Sequence, residues 1–198
     1  MSSKSISRRD VLKSLGVGAF AGSVLRVIPA EAAEHAHSMI AEEKKRASGA
    51  YTAKFFSAQQ YKTLQALCQA IIPADGDSGG AVEAGAPEFI DLLTSENPEY
   101  QLTLGGGLMW LDSTCVDRYG KIYVESAPAQ QKEILDLIAY RRNAVADPSV
   151  SQGVEFFAML RNLTADGFFT SEIGIKYLGY IGNTFLKEFA GCPPLPEA

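Results

Sequence analysis

The chain has 198 residues, 46% hydrophobic and 21% charged, with a formal net charge of −5. That composition is globular and excludes a disordered polar chain. The acidic balance argues against nucleic acid and against anionic membrane surfaces as partners.

The N-terminus reads Ser7-Arg8-Arg9-Asp10-Val11-Leu12-Lys13 and then a mildly apolar run from Leu15 to Leu25. Arg8 and Arg9 paired in this frame, with Leu12 after them, predict a twin-arginine export signal, an address read by the twin-arginine translocase. A membrane anchor is the competing reading. As a helix the 11-residue run would reach only ~16 Å against a hydrocarbon core of roughly 30 Å, and Arg26 closes it. Pro29-Ala30-Glu31-Ala32 is a small-x-small site, so cleavage is expected after Ala32 and the predicted location is the periplasm. Removing residues 1–32 takes away five basic residues (Lys4, Arg8, Arg9, Lys13, Arg26) and two acidic ones (Asp10, Glu31). That leaves 13 basic and 21 acidic residues in 166, a net charge of −8 and one domain of ordinary size.

Residues 33–54 are polar and alanine-rich and end in a charge cluster at Glu42-Glu43-Lys44-Lys45-Arg46, which predicts a linker or a poorly tied arm. His35 and His37 lie in it and are expected to be exposed. The folded part is expected from residue 55. Ser57 with Gln60 predicts a capping box, followed by a helix with Leu64, Leu67, Cys68, Ile71 and Ile72 on one face and ended by Pro73. Ala74 to Gly80 carries Asp75, Asp77 and three glycines. A calcium loop would need later ligands that are not in place, so a turn-rich loop is expected. Ala86-Pro87 opens a short helix with Phe89, Ile90, Leu92 and Leu93, and Asn97-Pro98 opens the next.

Leu104, Leu108, Leu111, Cys115 and Tyr119 fall at steps of four, three, four and four, a helical stripe. Gly105-Gly106-Gly107 inside it costs roughly 3 kcal/mol of helix propensity. It predicts a break, or a surface where another backbone packs close. Ser126-Ala127-Pro128 caps a helix through Ile138, and Ser151 is expected to cap one that stops near Asp166-Gly167. From Phe168 to Phe189 the chain is rich in aromatics and glycines and reads as coil with short helices. The fold class is all-α: one irregular helical domain, residues 55–198, with a coil-rich aromatic tail. No alternating strand pattern and no repeat is present.

Chemistry is sparse. Both histidines fall in the predicted linker, which disfavours Ser–His or Cys–His catalysis. There is no Cys-x-x-Cys, haem-attachment or iron–sulfur pattern, and no dinucleotide fingerprint. The acid pairs Asp75 with Asp77 and Asp112 with Asp117 are expected to be ordinary surface groups. No catalytic, cofactor or metal residue is therefore assigned. An exported, folded chain with no cofactor of its own suggests an escort that leaves the cytoplasm bound to a cofactor-bearing partner.

The chain also resembles a family. Leu67-x-x-x-Ile71-Ile72-Pro73-Ala74-Asp75 and Gly85-Ala86-Pro87-x-Phe89-Ile90-Asp91 are similar to the opening of the gluconate 2-dehydrogenase subunit 3 family. Gly107-Leu108-x-x-Leu111-Asp112, Phe156-Phe157-x-x-Leu160-x-x-x-Thr164-x-x-Gly167-Phe168-Phe169 and Tyr180-x-Gly182-Asn183 continue the likeness, over roughly residues 55 to 192. The resemblance implies a small, non-catalytic gamma subunit. Its partner would be a large flavoprotein dehydrogenase for gluconate, a sugar or a polyol, with FAD in that partner and haem c in an associated multihaem cytochrome c. A stand-alone exported helical enzyme or ligand-binding domain is the other reading.

Two further expectations concern contacts. Tyr177, Tyr180, Phe185 and Phe189 are candidate anchors for the partner, or else cover this domain's own helices. Cys68 and Cys115 sit on apolar stripes as buried thiols or as a mutual bridge. Cys192, between Gly191 and Pro193-Pro194, is the candidate for a disulfide to another subunit.

Overall fold

In the computed structural model, residues 28–47, 49–76 and 78–182 are described. They are helical, with no strand among the described residues. Nine α-helices are described: α1 (Ala30–Arg46), α2 (Ala58–Ile71), α3 (Ala86–Glu96), α4 (Pro98–Tyr100), α5 (Gly106–Tyr119), α6 (Pro128–Ile138), α7 (Arg141–Ala146), α8 (Ser151–Phe169) and α9 (Glu172–Tyr177). A π-helical segment, Gln101–Gly105, joins α4 to α5, and 3-10 turns at Tyr123–Glu125 and Pro148–Val150 precede α6 and α8.

The centre is the pair α3 and α8, which pack most extensively on each other. Every residue of α3 from Ala86 to Thr94 is buried, so this helix is surrounded rather than amphipathic. It meets α1 and α2 as well as α8, and α8 in turn meets α5, α6, α7 and α9.

Local chemistry sets the helix starts. At α2 the amide of Gln60 donates to Ser57 Oγ (3.3 Å) while the Ser57 amide donates to Gln60 Oε1 (3.0 Å), a complete capping box. Gly85 enters α3 at φ 80° with Pro87 in the first turn. Asn97 Oδ1 accepts from the amides of Glu99 and Tyr100 at the start of α4. Within the predicted Ser126-Ala127-Pro128 start of α6, Ala127 holds the cap position and Ser126 Oγ donates to the Ile122 carbonyl. One predicted cap differs. Ser151 is the first residue of α8; the side-chain cap lies earlier, where Asp147 accepts from the Ser149 amide and the 3-10 turn runs directly into the helix.

Three larger expectations are corrected. The predicted linker at 33–54 is largely the helix α1. Ala32, Ala33, Ala36 and Ile40 are buried on one face, a narrow stripe of small side chains against α3 whose spacing is masked by the charges around it. The folded unit therefore includes Ile28, which is buried, and does not begin at residue 55. His35 and His37 are accordingly half-buried, not exposed. The glycine run does not break the helix: the π-helical segment ends at Gly105 and α5 continues. What packs close is the chain's own α8, because a Cβ on Gly107 would overlap the Phe156 ring. Finally, α8 runs past Gly167 to Phe169. Gly167 is buried against Ala86 and Phe89 and is a packing residue rather than a stop.

Candidate functional site

The exposed corner formed by α8, α9 and the following turn gathers apolar side chains. Ser171 Oγ accepts from the Gly174 amide (3.0 Å) and donates to the Phe168 carbonyl (2.7 Å), which caps α9 and folds it back on the end of α8. The approach is so close that a Cβ on Gly174 would overlap the Phe168 carbonyl, so only glycine fits. Phe168 is buried and meets Phe169 edge-on at 5.1 Å and Tyr177 at 6.3 Å between ring centroids. From this buried root the surface spreads outward through Phe169, Ile175, Tyr177 (52% exposed), Leu178 (58%), Tyr180 (55%) and Ile181 (83%). Apolar groups gathered at one exposed corner are a feature of interaction sites.

Of the predicted anchors, Tyr177 and Tyr180 thus lie on this corner. Phe185, Phe189 and Cys192 lie outside the described residues, as do Arg8, Arg9 and Leu12 of the signal. The aliphatic members Ile175, Leu178 and Ile181 are absent from the sequence reading, which weighed aromatics alone. Their three-residue spacing, after the Ser171 cap, was the available signal.

The buried carboxylate of Asp91 is the second centre, and its role is not legible in the sequence. It is fully buried in α3. Oδ2 accepts from the Tyr51 hydroxyl (2.8 Å) and the Lys54 amide (2.6 Å), and Oδ1 from the amides of Phe55 and Phe56 (3.1 and 3.0 Å). Two bonds to each oxygen fill the acceptor capacity of a carboxylate. Asp91 therefore clamps the bend between α1 and α2 and has no lone pair left to act as a base. Burial, and then the Asp91 charge, push the Tyr51 phenol far above its usual range, so it stays a donor.

The other motif residues serve packing too. Thr164 Oγ1 lies 3.6 Å from Cys68 Sγ. Asp112 accepts from Gln59 Nε2 (2.9 Å) and from the Tyr123 amide (3.0 Å), tying α5 to α2, and so is more than an ordinary surface acid. Cys68 and Cys115 are buried and free, not bridged. Burial pushes their thiols up to about 12 and about 11, which makes them unreactive. The Asp75 loop is a turn in which Oδ1 accepts from the Ser78 amide (2.7 Å); Asp77 lies outside the described residues. Among the described residues no group of three or more His, Cys, Asp or Glu could hold a metal ion. No described helix is long and apolar enough to cross a membrane.

The profile of the gluconate 2-dehydrogenase subunit 3 family matches residues 58–187. The chain belongs to that family. The match spans every element from α2 to α9, so Gly107, Asp91 and the exposed corner lie inside the subunit 3 region, while the donors that Asp91 holds, at residues 51–56, precede it. Helix α1 precedes it. No curated protein and no solved structure matches the chain. As a subunit 3 chain it carries the name of one component of a dehydrogenase complex.

Proposed function

We propose that this chain is the non-catalytic small subunit of a periplasmic, flavin-dependent sugar, gluconate or polyol dehydrogenase, and that it supplies the export signal for the complex. The observation that carries this reading is the coexistence, in one chain, of the Arg8-Arg9 signal pattern and the subunit 3 match over residues 58–187. The subunit folds onto the large dehydrogenase chain in the cytoplasm, helps it fold and remain stable, and presents the signal to the twin-arginine translocase. FAD belongs to the large chain, and haem c to an associated multihaem cytochrome that takes the electrons. The α8–α9 corner is the proposed contact surface, with Tyr177 and Tyr180 as anchors and Phe185 and Phe189 beyond them. Cys192 is proposed to bond to the large chain. The saturated, fully buried Asp91 carboxylate supports a scaffold role for this domain.

The test is localisation of the dehydrogenase. With Arg8→Lys and Arg9→Lys together in the small subunit, the unaltered large chain is expected to stay in the cytoplasm. Undiminished dehydrogenase activity in the periplasm of that strain sinks the escort role.

A further inference from the structure

The bond expected to be cut on export, Ala32–Ala33, lies inside the first turn of α1. The Pro29 carbonyl accepts from the amides of both Ala32 and Ala33 at 3.0 Å, so the nitrogen of that bond is held by the turn. The flanks are covered as well: Ile28 is 6% exposed, Ala32 3%, Ala33 0% and Ala36 2%.

Three contacts further along keep the helix seated. The His37 ring stacks on Phe89 of α3 at 5.0 Å between centroids. Its Nε2 lies 2.9 Å from Thr170 Oγ1, whose hydroxyl already donates to the Asp166 carbonyl, so the imidazole is the donor. Lys44 Nζ pairs with Glu88 Oε1 of α3 at 2.6 Å.

A peptidase binds its substrate as an extended strand, so cutting here requires the first turns of α1 to leave α3 and unwind. Cleavage rates of a folded chain follow the population of such an opened state. The product is incompatible with the seat as well. Hydrolysis by water would leave a carboxyl on Ala32 and a charged amine on Ala33, a fully buried position. That charge would also sit at the positive end of the helix dipole.

We propose that docking of α1 protects the Ala32–Ala33 junction, so the folded subunit keeps its leader and loses it only when α1 is released from α3. This rests on the reading of residues 1–32 as an export signal. Twin-arginine cargo is already folded when it meets the peptidase, so the protection acts at the step where a leader is ordinarily removed.

The test uses purified full-length protein with bacterial signal peptidase in detergent micelles, read by mass spectrometry, beside a peptide of residues 20–40. The peptide is expected to be cut after Ala32 and the intact chain at least about tenfold more slowly. Ala36→Asp, which puts a charge against α3, is expected to restore cutting. His37→Ala, a milder loss, gives an intermediate rate and serves if Ala36→Asp does not fold; thermal melting reports whether the rest of the domain is intact. Cutting of the intact chain at the peptide's rate overturns the proposal. So does a peptide left uncut, or a folded variant with α1 released by hydrogen exchange that is no more sensitive than wild type. The assay does not depend on export, so failure of the double-lysine experiment removes the escort role without changing this result.

Discussion

Asp91 and Tyr51 are joined by a 2.8 Å hydrogen bond between α3 and the segment that links α1 to α2. The same carboxylate holds the amides of Lys54, Phe55 and Phe56. Replacing Asp91 by alanine takes the acceptor from three backbone donors and one phenol, of which the Phe56 amide is buried. A lost bond to a charged group costs about 1.5–3 kcal/mol, so the total is expected to exceed about 3 kcal/mol. Tyr51→Phe removes one donor and should cost about 1–2 kcal/mol. Urea unfolding of both variants checks the order; equal and small losses would show that the clamp is not structural.

Gly107 faces Phe156 with no room for a methyl group. Gly107→Ala gains about 1 kcal/mol of helix propensity but overpacks the α5–α8 seam, typically at about 1–3 kcal/mol. A net loss of stability is expected. Phe156→Leu in the same chain should recover part of it, because the two positions touch and so do not act additively. Melting of the single and double variants decides this. A stabilised Gly107→Ala protein would mean that the glycine serves a contact outside this chain.

Two half-buried groups give opposite pH dependences. Burial pushes the Asp166 carboxyl up to about 6, and among the described residues its Oδ2 has no hydrogen-bond partner. The folded state then binds this proton more tightly than the unfolded state. Its contribution to stability therefore rises as pH falls from above 6 towards the ordinary value near 3.8. Burial lowers the pKa of His37 below 6.5, so its contribution is present above 6.5 and declines as pH falls through that value. Asp166→Asn is expected to stabilise the protein at pH 7.5 by about 1 kcal/mol, after discounting for solvent screening. That corresponds to about 2–4 °C in Tm. The advantage should shrink towards pH 4. Melting curves across pH 4 to 8 test it, and a constant difference would exclude the burial explanation.

The exposed corner predicts partner binding without a stability cost. Leu178→Ser with Ile181→Ser alters side chains that are mostly in solvent, so the free subunit should keep its helical signal and change stability by no more than about 0.5 kcal/mol. Association with the large subunit is expected to weaken at least about tenfold if the corner holds binding hot spots. Unchanged affinity in a surface-binding measurement would place the interface elsewhere.

Much of the scaffold was legible in the residues themselves, because the signals are local. The Ser57–Gln60 box, Pro87 in a first turn, Asn97 before Pro98 and the stripe from Leu104 to Cys115 each depend on neighbours a turn or less away. The all-helical class followed from them. Three decisions belonged to the tertiary structure alone. Helix α1 is held by alanines whose burial exists only because α3 offers a surface, so composition pointed to a linker instead. The glycine run is tolerated in a helix because Phe156, some fifty residues later, fills the space beside it. Asp91 looks like any acid in a helix until the fold brings three amides and a phenol from positions 35 to 40 residues earlier onto its two oxygens. In each case the deciding energy is a contact between distant parts of the chain, and helical periodicity carries no record of it.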